Sequence, residues 1–378
     1  MAQPRLTSRL RKPLSMAVLA LYCLPLLAQQ PADEEVVVTA HAYPSTFADV
    51  ARTVTVLTRE DLANLPISSI GAALRYATTM DLRQRGPSGA QADFSIRGSN
   101  FGQVLVLVDG IRLNDAQTAH HNSDFPISLN DIERIEILAG PGSSLYGADA
   151  FGGAVNIITR KNESGTHASL IAGEYGLARA NVRTSFDAGS IRQTISFFGE
   201  ASSGFAPDRD FTAAGVSFTT TIGDNSRLRV AHVSKEFGAA GFYGPTPSRE
   251  WTSQSLVTFE RRFLETSRRS ADFQVFYRTH GDRFLWDVEA PELFESHHRT
   301  HAVGFTGRSD TILSPRALLS LATDLGSDWI RSANLGDHSY MRVGVSAELQ
   351  LKLRKSVTLY PGVRVDRYTT FGNAACPS

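Results

Sequence analysis

The sequence predicts a compact α+β unit followed by a membrane-spanning antiparallel β-barrel. Three observations carry this: mixed helix and strand signals over residues 45–160, a sustained apolar/polar alternation over 166–378, and connections that alternate short and long. The 378 residues balance 38 Lys and Arg against 38 Asp and Glu, which excludes the basic excess of a dedicated nucleic-acid binder. Twenty-one Phe, 10 Tyr and 3 Trp exclude low-complexity disorder. The two cysteines, Cys23 and Cys376, allow neither an internal disulfide framework nor a thiolate metal site.

The chain begins with Arg5, Arg9, Arg11 and Lys12 ahead of an apolar stretch from Leu14 to Ala28. That stretch is shorter than the roughly 18–20 residues a spanning helix needs, so residues 1–28 read as an export signal. Residues 29–44 follow as a short segment ahead of the first domain. In it, Glu35-Val36-Val37-Val38-Thr39-Ala40 carries β-branched residues between Pro31 and Pro44, an extended segment rather than a helix. Such a segment suits pairing with the sheet edge of another protein, or serves as the first strand of the domain that follows.

Within 45–160, residues 53–58 alternate as a strand. Thr58 and Asp61 form a capping-box pair that opens a short helix. Ser68 or Ser69 opens a second, with Ile70, Ala73, Leu74 and Ala77 at helical spacing. Phe94 to Gly98 is a short strand ending at a glycine. Val104 to Val108 reads as a buried strand closed by Asp109-Gly110, a hairpin signal into Ile111-Arg112-Leu113. Ile132 to Ile137 alternates, Gly140-Pro141-Gly142 breaks the chain, and Gly152-Gly153 leads into a strand over 154–159. No Gly-Lys-Ser/Thr follows the glycines, so they are not a phosphate loop and instead permit tight turns and close packing.

After residue 166 the pattern changes. Val343, Val345, Ala347, Leu349, Leu351 and Leu353 share one face against Gly344, Ser346, Glu348, Gln350, Lys352 and Arg354. Residues 357–366 and 271–278 repeat this alternation, and about eleven such strands are expected. A soluble sandwich alternates as well. The connections separate the two readings. Those at 187–190, 222–226, 263–267, 309–315 and 354–356 are short, whereas 202–210, 238–251, 281–297 and 326–339 are long, the asymmetry of an outer-membrane barrel. The short link at 174–176 is the one break in that order.

Arg97-Gly98, the run from Leu107 through Asp109-Gly110 to Asn114, and the stretch from Ile132 to Arg160 closely resemble the plug of TonB-dependent outer-membrane receptors. In the last stretch the resemblance rests on Gly140-Pro141, Ser144-Leu145-Tyr146-Gly147, Gly152-Gly153 and Asn156-Ile157-Ile158-Thr159. It implies a plug over 45–160, an incomplete barrel over 166–378, and a TonB box at Glu35, Val36, Val37, Val38, Thr39 and Ala40. The wording near the plug is most similar to the cobalamin and siderophore branch. The implied function is active uptake across the bacterial outer membrane of a scarce bulky ligand, such as a ferric siderophore or vitamin B12. The implied partners are the periplasmic TonB, outer-membrane lipid and the ligand, with no nucleic acid and no cofactor. The family's barrel has 22 strands and holds its plug in the lumen, so about half that number reads as the N-terminal portion of a longer receptor.

Positions carried over from cobalamin-type plugs assign ligand contacts to Gln84, Arg85, Gln117, His120 and His121, with Phe242, Tyr243 and Trp286 from long barrel loops. Solvated loop histidines and an aromatic interface girdle are the plainer readings of the same residues. One position departs from the resemblance: Ala139 stands where the family usually has an arginine before Gly-Pro, while Arg97 retains a second plug arginine expected to face wall carboxylates. No Gly-x-Ser-x-Gly or His-Glu-x-x-His occurs, so no enzyme and no metal centre is expected. A passive porin-like barrel and a non-transporting surface receptor are the alternatives.

Overall fold

The computed structural model describes residues 53–86, 90–161, 163–354 and 357–377. The expected export signal and TonB box lie outside the described residues. The first part runs β1 (Val54–Thr58), α1 (Arg59–Asn64), α2 (Ile70–Leu74), β2 (Met80–Gln84), β3 (Ala92–Ile96), β4 (Val104–Val108), β5 (Ile111–Arg112), β6 (Ile132–Ala139), α3 (Ser143–Tyr146) and β7 (Gly153–Thr159). Five strands form one sheet in the order β1-β6-β7-β4-β5, and β2 with β3 makes a separate ribbon.

Local chemistry accounts for these elements. Thr58 accepts a hydrogen bond from the Asp61 N–H, and the Asp61 carboxylate accepts one from the Thr58 N–H, which opens α1. Leu65 precedes Pro66 and is extended, so α1 stops there. Ser69 rather than Ser68 caps α2 and aims Ile70, Ala73 and Leu74 into the core. Asp109 and Gly110 both take positive φ, 50° and 82°, the mirror turn that matches strand twist between β4 and β5. At Gly153, φ is 146° and a Cβ would come within 2.2 Å of the Leu138 carbonyl oxygen, so only glycine fits where β7 leaves β6.

The second part is one antiparallel sheet. It comprises β8 (Gly165–Ala172), β9 (Ala178–Ala188), β10 (Ile191–Ser202), β11 (Phe211–Ile222), β12 (Ser226–Gly238), β13 (Arg249–Glu265) and β14 (Arg269–Leu285). It continues with β15 (Glu295–Ser314), β16 (Ala317–Ser332), β17 (His338–Arg354), β18 (Val357–Leu359), β19 (Gly362–Tyr368) and β20 (Gly372–Pro377). The sheet thus has 13 strands where about eleven were expected. One added strand arises because Pro361 separates β18 from β19, and both pair with β17. The other is β20, whose Gly-Asn-Ala-Ala-Cys-Pro sequence lacks alternation and pairs with β19 through its backbone. The connection expected over 326–339 is also shorter, because β16 keeps its pairing to β17 as far as Ile330.

The sheet is inverted relative to a soluble protein. Val343 and Val345 are 43% and 53% exposed, while Ser346 and Glu348 beside them are buried. Val182, Phe197, Phe218, Val230, Val275 and Val303 likewise point outward from their strands, whereas Arg183, Arg229, Arg278 and His280 point inward. A sandwich buries its apolar face; a wall set in lipid exposes it. The inner face encloses the first part. Leu256, Phe276 and Ala302 of the wall join the cluster built by Leu74, Phe94, Val106, Ile135 and Ile157. Phe276 falls on the polar side of its strand's alternation, and the structure shows why: it packs against the enclosed domain.

Candidate functional site

Four aspartates of the enclosed domain meet basic residues of the wall. Asp109, held at the turn by the Thr159 N–H at 2.8 Å, accepts from Arg229 at 2.7 Å and Arg227 at 3.2 Å. Asp115 accepts from Arg278 at 2.9 Å and from the Thr300 hydroxyl. Asp124 pairs with Lys235 at 2.9 Å and His280 at 3.0 Å. Asp131 accepts from Ser196 and lies 3.7 Å from Arg183. Burial raises the carboxyls of Asp109, Asp115 and Asp124. The facing Arg229 and Arg227, Arg278, and Lys235 outweigh it and hold all three well below the usual carboxylate range.

The polarity of this seam corrects an expectation. Among the described residues Arg97 is exposed and makes no ion pair, its guanidinium lying over Gly140. Ala139, in place of an arginine, is buried in the hydrophobic core. The enclosed domain mainly contributes the acids, and the wall contributes the bases. Arg112 is a local exception that pairs with Asp149 of its own domain.

The connections 203–210, 239–248, 286–294 and 333–337 lie at one rim, and the turns 189–190, 223–225, 266–268 and 315–316 at the other. At the long-connection rim a cleft of about 640 Å³ opens between the two parts. Gln117, His121, Tyr243 and Trp286 line it together, joined by Glu250, Asp282, Phe284, Leu293 and Phe294. Tyr243 donates to Gln91, lies edge-on to Phe284 at 5.3 Å and has the Arg85 guanidinium 5.2 Å from its ring centroid. Trp286 packs over Gly244, where a Cβ would sit 2.7 Å from the indole. The Tyr243 ring is turned toward the enclosed domain, and Trp286 packs with Phe284 beside it.

The remaining expected contacts have other surroundings. Arg85 donates to the Phe242 carbonyl at 2.7 Å, fixing the 239–248 connection to the end of β2. The Phe242 ring packs with Phe211 and Phe237 beneath the rim. His120 pairs with Asp93 at 2.6 Å and stacks on Phe101. Gln84 lines a separate, smaller cavity with Ala90, Phe125 and Phe198. His121 stacks on His280 at 4.8 Å, and burial together with His280 pushes its pKa down to about 4, so its imidazole is neutral near pH 7.

Glu250 and Asp282 escaped the sequence reading, although a signal existed. On β13, Glu250 is in phase with the inward Thr252 and Gln254. On β14, Asp282 is in phase with the inward Arg278 and His280. A carboxylate on the inward phase near the long-connection end of a strand is a candidate for cleft lining.

Residues 46–154 match the sequence family described as TonB-dependent Receptor Plug Domain. The fold is similar to the siderophore receptor PirA from Acinetobacter baumannii, with 17% identity over 86% of this chain and 58% of that one, at a TM-score of 0.67. It is also similar to the ferric yersiniabactin uptake receptor FyuA from Yersinia pestis, with 14% identity, 86% and 60% coverage and a TM-score of 0.65. The ferric citrate transporter FecA aligns with 14% identity over 87% of this chain and 60% of its own, at a TM-score of 0.68. The chain therefore spans 58–60% of the length of these three structures.

Proposed function

We propose that the chain is a TonB-dependent receptor, a reading supported by the plug-domain match over residues 46–154, and that it serves energised uptake of a scarce, bulky ligand across the bacterial outer membrane. The observation that carries this reading is the cleft at the long-connection rim, walled on one side by the plug and on the other by the barrel. A ligand seated there touches both parts at once. Its binding is thereby coupled to any rearrangement of the plug, and the coupling is reciprocal at the level of binding.

An outer membrane has no nucleotide supply, so work must come from a periplasmic partner. Glu35–Ala40, an extended β-branched segment, is the strand we assign to TonB pairing through backbone hydrogen bonds. Gln117, His121, Tyr243 and Trp286 are the residues we assign to ligand contact. The aromatic lining favours an organic ligand with apolar surface. The similar structures include receptors for ferric chelates, which supports an iron chelate ahead of cobalamin.

The test is a strain whose only copy lacks Glu35–Ala40. Growth on ferric chelates under iron limitation, and on vitamin B12 under cobalamin limitation, should be lost while ligand binding to whole cells persists. Val37→Pro should act in the same way, because proline removes a ladder donor. Uptake that continues in the deletion strain overturns the energised mechanism and leaves a passive barrel.

A further inference from the structure

Three ligating side chains of the cleft lining converge. Glu250 and Asp282 stand on neighbouring strands β13 and β14 and point inward. His121 reaches them from the plug, with Nε2 3.6 Å from Glu250 Oε1. The ligand atoms of the three residues lie within 4.8 Å of one another. All three residues are more than nine-tenths buried, at 5%, 2% and 7% exposure for His121, Glu250 and Asp282. Glu250 Oε2 and Asp282 Oδ1 have no hydrogen-bond partner. Neither carboxylate has a lysine or arginine within ion-pair range among the described residues.

Two buried carboxyls with unpartnered oxygens facing an imidazole are costly unless each takes up a proton or a cation joins them. The neighbouring acids have already found theirs: Asp124 has Lys235 and His280, and Asp115 has Arg278. His121, Asp124 and His280 also lie close enough to share an ion. In that group, however, Asp124 is already neutralised and hydrogen-bonded, so the oxygens still without a partner are those of Glu250 and Asp282. We propose that His121, Glu250 and Asp282 form a binding site for a divalent first-row transition-metal ion, with its remaining coordination positions open to the cleft. One imidazole and two carboxylates suit zinc or iron(II) and disfavour calcium or magnesium, which take oxygen ligands alone. Tetrahedral ligands at about 2.1 Å from an ion stand roughly 3.4 Å apart. The His121–Glu250 distance of 3.6 Å is close to this spacing, and the ligand atoms of all three residues lie within 4.8 Å of one another. An ion held there ties the plug to β13 and β14, a role beyond ligand contact at the same cleft.

The test is calorimetric titration of Zn²⁺ into the full chain in detergent micelles, with Mg²⁺ and Ca²⁺ as controls. A single saturable zinc site is expected. Glu250→Gln and Asp282→Asn, both near-isosteric, should each weaken it by at least about 100-fold, more than loss of an outer-shell partner typically costs. His297→Ala, on an exposed histidine paired with Glu295, should leave it unchanged. In the unmutated chain, Co²⁺ absorption should show a low-symmetry nitrogen and oxygen ligand field, a readout that no folding defect can imitate. Absence of a saturable site, or zinc binding that both carboxylate variants retain, overturns the proposal. Loss in His280→Gln with retention in Glu250→Gln also overturns it, by assigning the ion to the other triad. Because the titration needs no TonB and no uptake, its failure is distinguishable from failure of the transport reading.

Discussion

Asp109 shows how one side chain serves two ends of the fold. Its backbone makes the positive-φ turn between β4 and β5, and its carboxylate closes on Thr159 of β7 and on Arg227 and Arg229 of the wall. Asp109→Asn keeps the turn but leaves the buried Arg229 without its anion and Arg227 with only Glu260 at 3.7 Å, so a loss of roughly 3–5 kcal/mol is expected, read by thermal unfolding in detergent. The folded carboxyl lies below its unfolded value, which fixes the direction with pH. Its stabilisation is complete above about pH 4 and is lost as pH falls on through the folded value. Asp109→Asn should therefore flatten the acid limb of the stability curve. The turn was legible in the sequence, because Asp-Gly between apolar runs is a local signal. The ion pairs were not, since Arg227 and Arg229 lie 118 and 120 residues away and nothing in their neighbourhood marks them as partners.

Elements were legible where a repeat or a local cap defined them. Capping pairs marked α1 and α2, and the period-two pattern marked the long strands with their short turns. β20 escaped because backbone pairing to β19 needs no side-chain alternation. The cleft was legible in part. Gln117, His121, Tyr243 and Trp286 meet there, whereas Phe242 packs with Phe211 and Phe237 beneath the rim and Gln84 lines a separate cavity, placements that depend on tertiary packing. The departure of β7 from β6 tests the element scale. Gly153→Ala places a methyl group against the Leu138 carbonyl and forces a strained φ. It should cost more than about 2 kcal/mol, seen as faster amide exchange along β6 and β7 while strands β9–β16 keep their protection.

At the scale of the molecule, the inversion of the sheet governs everything else. Valines and phenylalanines face outward and arginines face the plug, so the plug supplies the polar partners that an empty lumen would take from water. The asymmetry of the two rims then sets orientation. Under the proposed function, the connections with the cleft face outside the cell, and the tight turns, with the end of β7 near them, face the periplasm.

Cysteine labelling in living cells tests that arrangement directly. In a Cys376→Ser background, Phe205→Cys reports on the exposed 203–210 connection and Asp224→Cys on the opposite turn. A membrane-impermeant maleimide should label Phe205→Cys on intact cells and Asp224→Cys only after the outer membrane is permeabilised. Equal labelling of both sites on intact cells, or labelling of Phe205→Cys only after disruption, would contradict a lipid-embedded wall with its cleft facing outward.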